Sequence, residues 1–149
     1  MKLAIGSDER MHLTDLVVDE LTTRGHALEL HGSLCDENAL WPDVAQQVAE
    51  RVARGDVDEG ILFCWTGTGV SIAANKVRGI RAALCHDAET AKGARLWNRA
   101  NVLCLSLRAT SEVVAKEILD AWFATPRGTD PVDVQCVAKV GEIERQQGR

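Results

Sequence analysis

Short apolar runs alternate with segments of helical period along the whole chain. Lys2–Gly6 (KLAIG) reads as a first strand. Leu13–Arg24 reads as a helix, with Leu13, Leu16, Val17, Glu20 and Leu21 at i, i+3, i+4 spacing, and Gly25 stops it. Ala27–Leu30 is a short second strand, and Pro42 occupies the first position of a helix over Asp43–Ala53 that Gly55 closes. Gly60–Cys64 (GILFC) is apolar without a break, the pattern of a strand covered on both faces, as parallel sheets require. After the turn Trp65-Thr66-Gly67-Thr68-Gly69, a helix begins over Val70–Asn75. Ile80–Cys85 is a fourth strand, Ala88–Leu96 a helix, Asn101–Leu105 a fifth strand, and Ser111 caps a helix that runs to Phe123. Past Pro131 a last helix covers Val134–Arg145, within a C-terminal helical region of about 131–147 whose end frays.

Such alternation predicts an open, doubly wound α/β sheet with right-handed crossovers. Sites in such sheets lie beyond the carboxyl ends of the strands, near the switch in strand order. The positions to inspect are therefore Ser7 to Arg10, Cys64 to Ser71, His86-Asp87 and Ser106 to Arg108.

The 149 residues suffice for one domain, 1–149, because no Pro/Gly/Ser-rich stretch divides them. The 17 Lys+Arg against 22 Asp+Glu give a net charge of −5 with no basic run, which argues against nucleic-acid binding. No apolar stretch approaches the roughly 18 residues of a membrane span, and Lys2 precedes no cleavable apolar segment, so the chain reads as cytoplasmic. The five cysteines, Cys35, Cys64, Cys85, Cys104 and Cys136, are scattered without a CxxC pair. That spacing disfavours a disulfide framework and a thiolate zinc site, so most read as small buried hydrophobes.

Cys64 stands apart because its strand delivers it into a glycine-bearing turn that enters a helix. Converging amides at that turn fit an oxyanion or a phosphate, and the positive helix end favours thiolate. A thiolate beside an oxyanion pocket serves as nucleophile or as a base removing a proton α to a carbonyl. The alternative is a core-filling thiol behind a plain tight turn. The turn lacks both the Walker GK[ST] ending and the dinucleotide GxGxxG pattern, so no nucleotide cofactor is indicated. Asp8, at the end of the first strand, reads either as a ligand for hydroxyl groups in the same crevice or as the N-cap of the next helix. His12 and His26 read as solvated or capping groups, and His31 follows the second strand. His86 lies on the catalytic edge but reads first as a loop residue. No spacing among these residues suggests a metal site.

Ala4-Ile5-Gly6-Ser7-Asp8, Trp41-Pro42-Asp43, and the stretch from Gly60 to Lys76 with Cys64-Trp65-Thr66-Gly67-Thr68-Gly69-Val70-Ser71 at its centre together resemble type B ribose-5-phosphate isomerase and its relative galactose-6-phosphate isomerase. Gly79 to Asp87, Asn98, Ala100 to Leu103 and Asp120-Ala121-Trp122 continue the resemblance over residues 2 to 124. It implies a three-layer Rossmann-like fold and an aldose–ketose isomerase that works through a cis-enediolate without metal or cofactor. It also implies a homodimer, with a tetramer as the larger alternative, its active site at the subunit interface and the C-terminal helix packed on the partner. By the same resemblance Cys64 is the proton-transferring base and Thr66 assists ring opening. The backbone of Gly67, Thr68, Gly69, Val70 and Ser71 holds the enediolate oxygen, Asp8 and Asn98 contact substrate hydroxyls, and Arg108 meets the substrate phosphate.

The departures from the family pattern bear on the substrate. Glu9 follows Asp8 where a histidine is usual, Trp97 replaces the ring-opening histidine, Trp65 replaces the first glycine of the turn, and Trp41 replaces a tyrosine. Val132-Asp133-Val134-Gln135-Cys136 stands where a histidine and arginines usually meet the phosphate. Losing two such cations costs several kcal/mol of phosphate binding. The expected substrate is therefore non-standard, an open-chain or unphosphorylated sugar, with Trp41, Trp65 and Trp97 lining the crevice or else filling gaps between subunits. The alternatives are a partner-dependent, non-catalytic subunit of a hetero-oligomeric sugar isomerase and an enolising isomerase of a non-sugar carbonyl compound.

Overall fold

A computed structural model describes residues 1–148. Strands β1 (Lys2–Ser7), β2 (Ala27–Gly32), β3 (Glu59–Cys64), β4 (Ala82–Leu84) and β5 (Val102–Ser106) form one sheet in the order β2-β1-β3-β5-β4, parallel throughout. The helices are α1 (His12–Thr23), α2 (Trp41–Ala53), α3 (Thr68–Ala74), α4 (Ala88–Asn98), α5 (Glu112–Ala124) and α6 (Pro131–Gln146). Leu3, Ile5, Ile61, Phe63, Leu103 and Leu105 pack under α1, α4 and α5 on one face, while Ala4, Leu62, Cys64, Val102 and Cys104 pack under α2 and α3 on the other. This is the three-layer doubly wound arrangement expected from the pattern. Coverage of both faces explains why β3 and β5 are apolar at consecutive rather than alternate positions.

Most boundaries shift by one or two residues, each for a local reason. The fourth strand shortens to Ala82–Leu84, although the backbone on either side stays tied to β5 and the residue before it: the Arg81 carbonyl accepts from the Asn101 amide at 3.1 Å and the Cys85 amide donates to the Cys104 carbonyl at 3.1 Å, and asparagine side chains take backbone groups that β5 does not. Asn101 Oδ1 accepts from the Arg81 amide at 2.8 Å, and Asn75 binds both the amide and the carbonyl of Ala82. Asn75 thereby blocks an edge that would otherwise invite pairing. The third helix starts at Thr68 because Gly67 already serves as its N-cap. The last helix reaches back to Pro131, where the Asp130 carboxylate accepts from the Val132 amide at 2.9 Å. His26, expected as a solvated or capping group, closes the end of α1 through its amide, which donates to the Leu21 carbonyl at 3.1 Å, while its ring stacks on Phe123 with ring centroids 4.7 Å apart. No helix among the described residues is long and apolar enough to cross a membrane.

Glu59 is the exception to the apolar rule in β3. Its buried carboxylate accepts from the Trp122 indole N–H at 2.7 Å and pairs with Arg95 at 2.6 Å, and the Arg95 guanidinium lies 4.9 Å from the centre of the Trp122 ring. The group joins β3, α4 and α5 inside one core. Removing one charge strands the other in a low-dielectric interior, whereas replacing both with apolar groups leaves nothing unpaired. Glu59→Ala is expected to lower the unfolding free energy by about 3–5 kcal/mol in a denaturant titration, with Glu59→Leu/Arg95→Met losing less than the single substitution.

Candidate active site

The chain places β2 on one side of β1 and then re-enters the sheet at β3 on the other, so the winding reverses between β1 and β3. A crevice opens beyond the carboxyl ends of two strands at such a point. Asp8 follows β1 and Cys64 ends β3, and both line a pocket of about 300 Å³ together with Trp41, Trp65, Thr66, Thr68 and Gly69.

The turn between β3 and α3 is held from beneath by the end of β5. The Leu107 amide donates to the Cys64 carbonyl at 3.0 Å, and the Trp65 carbonyl accepts from the Arg108 amide at 3.1 Å and the Ser106 hydroxyl at 2.9 Å. Gly67 has φ of 74°, and a Cβ there would sit 2.5 Å from a Leu84 methyl and 3.0 Å from the Leu105 carbonyl carbon, so the turn admits no side chain. The amides of Thr68, Gly69 and Val70 open α3 without a side-chain cap. The Gly67 and Ser71 amides, both expected in this set, are instead engaged inside the turn: Gly67 donates to the Cys64 carbonyl at 3.2 Å and Ser71 to the Gly67 carbonyl at 3.2 Å.

Cys64 is only 5% exposed, yet its residue forms part of the pocket wall. Burial pushes the neighbouring Cys85 thiol up to about 12 and raises Cys104 as well. Asp8 is not the N-cap of α1, a position that Met11 takes. Its backbone is fixed by the Ser33 hydroxyl, which donates to the Asp8 carbonyl at 2.7 Å, and by the Ser7 hydroxyl, which bonds both backbone groups of Glu9. One carboxylate oxygen is left over: Oδ1 is buried without a hydrogen-bond partner among the described residues, and burial raises the Asp8 pKa above its ordinary 3.8 against the lowering effect of a hydrogen bond from its own backbone. A buried acceptor with no donor marks a place for a ligand hydroxyl. The Thr66 and Thr68 hydroxyls lie 2.6 Å apart beside it.

Three expected site residues lie elsewhere in this chain. α4 leaves the carboxyl end of β4 and finishes before the amino end of β5, which carries Trp97 and Asn98 to the edge opposite Cys64. Asn98 lines a separate cavity of about 490 Å³ with Asn75, Arg81, Val140 and Ile143, and Trp97 folds back over Gly93. Arg108 contributes its backbone amide to the turn while its side chain is exposed, and among the described residues no Lys, Arg or His lines the Cys64 pocket. His86 is exposed beside Asp87, whose carboxylate caps α4. Ser33 and Ser106 hold the site in place and carry no sequence signal beyond their positions after β2 and at the end of β5. Among the described residues, no group of three His, Cys, Asp or Glu side chains is placed to hold a metal ion.

The ribose/galactose isomerase family profile matches residues 3–139. D-erythrulose-4-phosphate isomerase of Pectobacterium atrosepticum is 38% identical to this chain over 99% of its length and 97% of the relative's. Ribose-5-phosphate isomerase B of Escherichia coli is 43% identical, covering 82% of this chain and 83% of its own. The solved structure of Clostridium thermocellum ribose-5-phosphate isomerase B superposes with a TM-score of 0.92 at 38% identity, covering 99% of each chain. This likeness, spanning the sheet, the glycine-bearing turn and the thiol at its entrance, makes the chain a member of the ribose/galactose isomerase family of aldose–ketose isomerases.

Proposed function

We propose that this chain isomerises a small open-chain sugar or sugar derivative through a cis-enediolate, with the Cys64 sulfur moving the proton between C2 and C1. The observation that carries the reading is that Cys64 and Asp8, whose Oδ1 has no hydrogen-bond partner among the described residues, line one pocket at the switch point of the sheet. In the aldose-to-ketose direction the Cys64 thiolate takes the C2 proton, the C2–H pair forms the C1–C2 double bond, and the carbonyl pair moves onto O1. The thiol then returns the proton to C1 as the O2 hydroxyl becomes the new carbonyl and its proton passes to O1. The amides of Thr68, Gly69 and Val70 stabilise the enediolate oxygen where charge develops. Asp8 fixes a substrate hydroxyl, and Thr66 assists any ring opening.

A pocket without a basic side chain does not hold a phosphate by itself, and α6 presents Asp133 rather than a cation in its first turn. The substrate is accordingly held through its hydroxyls and carbon skeleton more than through a terminal phosphate. We further propose a homodimer in which α6, a helix of sixteen residues with none buried, packs on the second copy, and in which Asn98 and Trp97 of that copy complete the pocket. Purified alone, the chain therefore isomerises at least one member of an aldose/ketose panel; activity only with a second, different chain favours the partner-dependent reading.

Cys64→Ala is expected to abolish exchange of the substrate C2 proton with D₂O, followed by NMR, while leaving the circular dichroism spectrum unchanged; retained exchange removes the sulfur from the proton path. Asp8 has its own pH signature. Because burial raises its folded pKa above the unfolded value, the ionised carboxylate costs stability at neutral pH, and that cost disappears as pH falls below about 3.8. Asp8→Asn is therefore expected to raise the melting temperature at pH 7, to lose that advantage near pH 3.5, and to weaken sugar binding.

A further inference from the structure

We propose that Trp65 is a specificity-determining residue that, with Trp41, forms a two-walled entrance selecting small, extended sugars by stacking on their C–H faces; the inference rests on the sugar-isomerase reading above. Trp65 follows Cys64 directly, is 54% exposed, and belongs to neither core cluster, so its indole does nothing for folding. Its backbone, by contrast, is fixed: the carbonyl accepts from both the Ser106 hydroxyl and the Arg108 amide. The backbone that carries this large apolar ring is thus held at a set point on the rim of the pocket.

One exposed apolar side chain needs no explanation, but two indoles from different elements flank the same pocket. Trp41, 40% exposed at the start of α2, rests on Gly69, where a Cβ would meet its ring at 3.1 Å. The glycine lets the indole lie against the amide-bearing turn. Both indoles line the one pocket that Cys64 and Asp8 also line. The pocket volume of about 300 Å³ falls at the small end of the range for ligand sites, and its lining offers aromatic faces instead of cations. Indoles present broad, rigid apolar faces at low entropic cost, suited to the C–H side of a polyol chain. Discrimination at this site therefore depends on the length and shape of the carbon chain.

The test uses D-erythrose, D-ribose and D-ribose 5-phosphate as probes. Their binding is measured by calorimetry to full-length Cys64→Ala, which does not turn over, with and without Trp65→Gly or Trp65→Phe. The steady-state kinetics of the corresponding Cys64 proteins are measured alongside. Trp65→Gly is expected to weaken the best-bound sugar about tenfold or more, chiefly through KM, and to bring the four- and five-carbon affinities closer together, with Trp65→Phe recovering most of the loss. Affinities and ratios unchanged within about twofold overturn the proposal, as does a uniform loss for all three sugars accompanied by a changed sedimentation coefficient, which makes Trp65 a subunit contact. Trp65-dependent binding without C2-proton exchange by the wild-type enzyme keeps this inference and removes the isomerase reading. Exchange that ignores Trp65 does the opposite, and absence of binding by every probe removes both.

Discussion

The end of β5 holds the turn after β3. Three donors, the Leu107 and Arg108 amides and the Ser106 hydroxyl, converge on the Cys64 and Trp65 carbonyls from the adjacent strand. Because β3 and β5 are parallel, both strands end at the same edge, and the residues just past one can hydrogen-bond to the backbone just past the other. With its carbonyls tied down, the turn has little freedom in where it sends its amides. Gly67 then reverses the chain into α3, whose first residues, Thr68 and Gly69, line the same pocket as Cys64.

The same sheet supplies the second half of the pocket. Asp8 reaches it because β1 is the other neighbour of β3, and the reversal of winding between them keeps any helix from covering the gap. Cys64 and Cys104 share one core cluster, yet only Cys64 stands at a strand end that opens outward. A difference of two residues along parallel strands separates a wall of the site from a packed thiol whose ionisation burial suppresses. The buried Glu59, Arg95 and Trp122 group lies at the other end of β3 and fastens α4 and α5 to the strand that carries the thiol.

Much of this was legible in the residue order. The continuous apolar run at Gly60–Cys64 signalled a strand covered on both faces, and the strand-end rule pointed to Asp8 and to Cys64 through Gly69. What could not be read was geometry that depends on where helices end. Asn98 and Trp97 are a few residues from β5 in sequence, yet α4 spans the sheet from top to bottom and delivers them to the far edge. Ser71 belongs to the glycine-bearing turn by sequence, but its position one helical turn past Gly67 commits its amide to the helix. Nor did periodicity foretell that asparagine side chains from two other segments bind the Arg81 amide and both backbone groups of Ala82.

The central claim is that the Cys64 sulfur is reachable from the pocket despite its burial. Site-resolved mass spectrometry after brief iodoacetamide treatment at neutral pH tests it most directly, with the remaining activity measured in parallel. The account predicts that Cys64 is alkylated while Cys85 and Cys104 are not, that loss of activity follows Cys64 modification, and that bound sugar protects it. A Cys64 thiol as unreactive as Cys104 in the folded protein, or activity that survives complete Cys64 alkylation, would contradict the account.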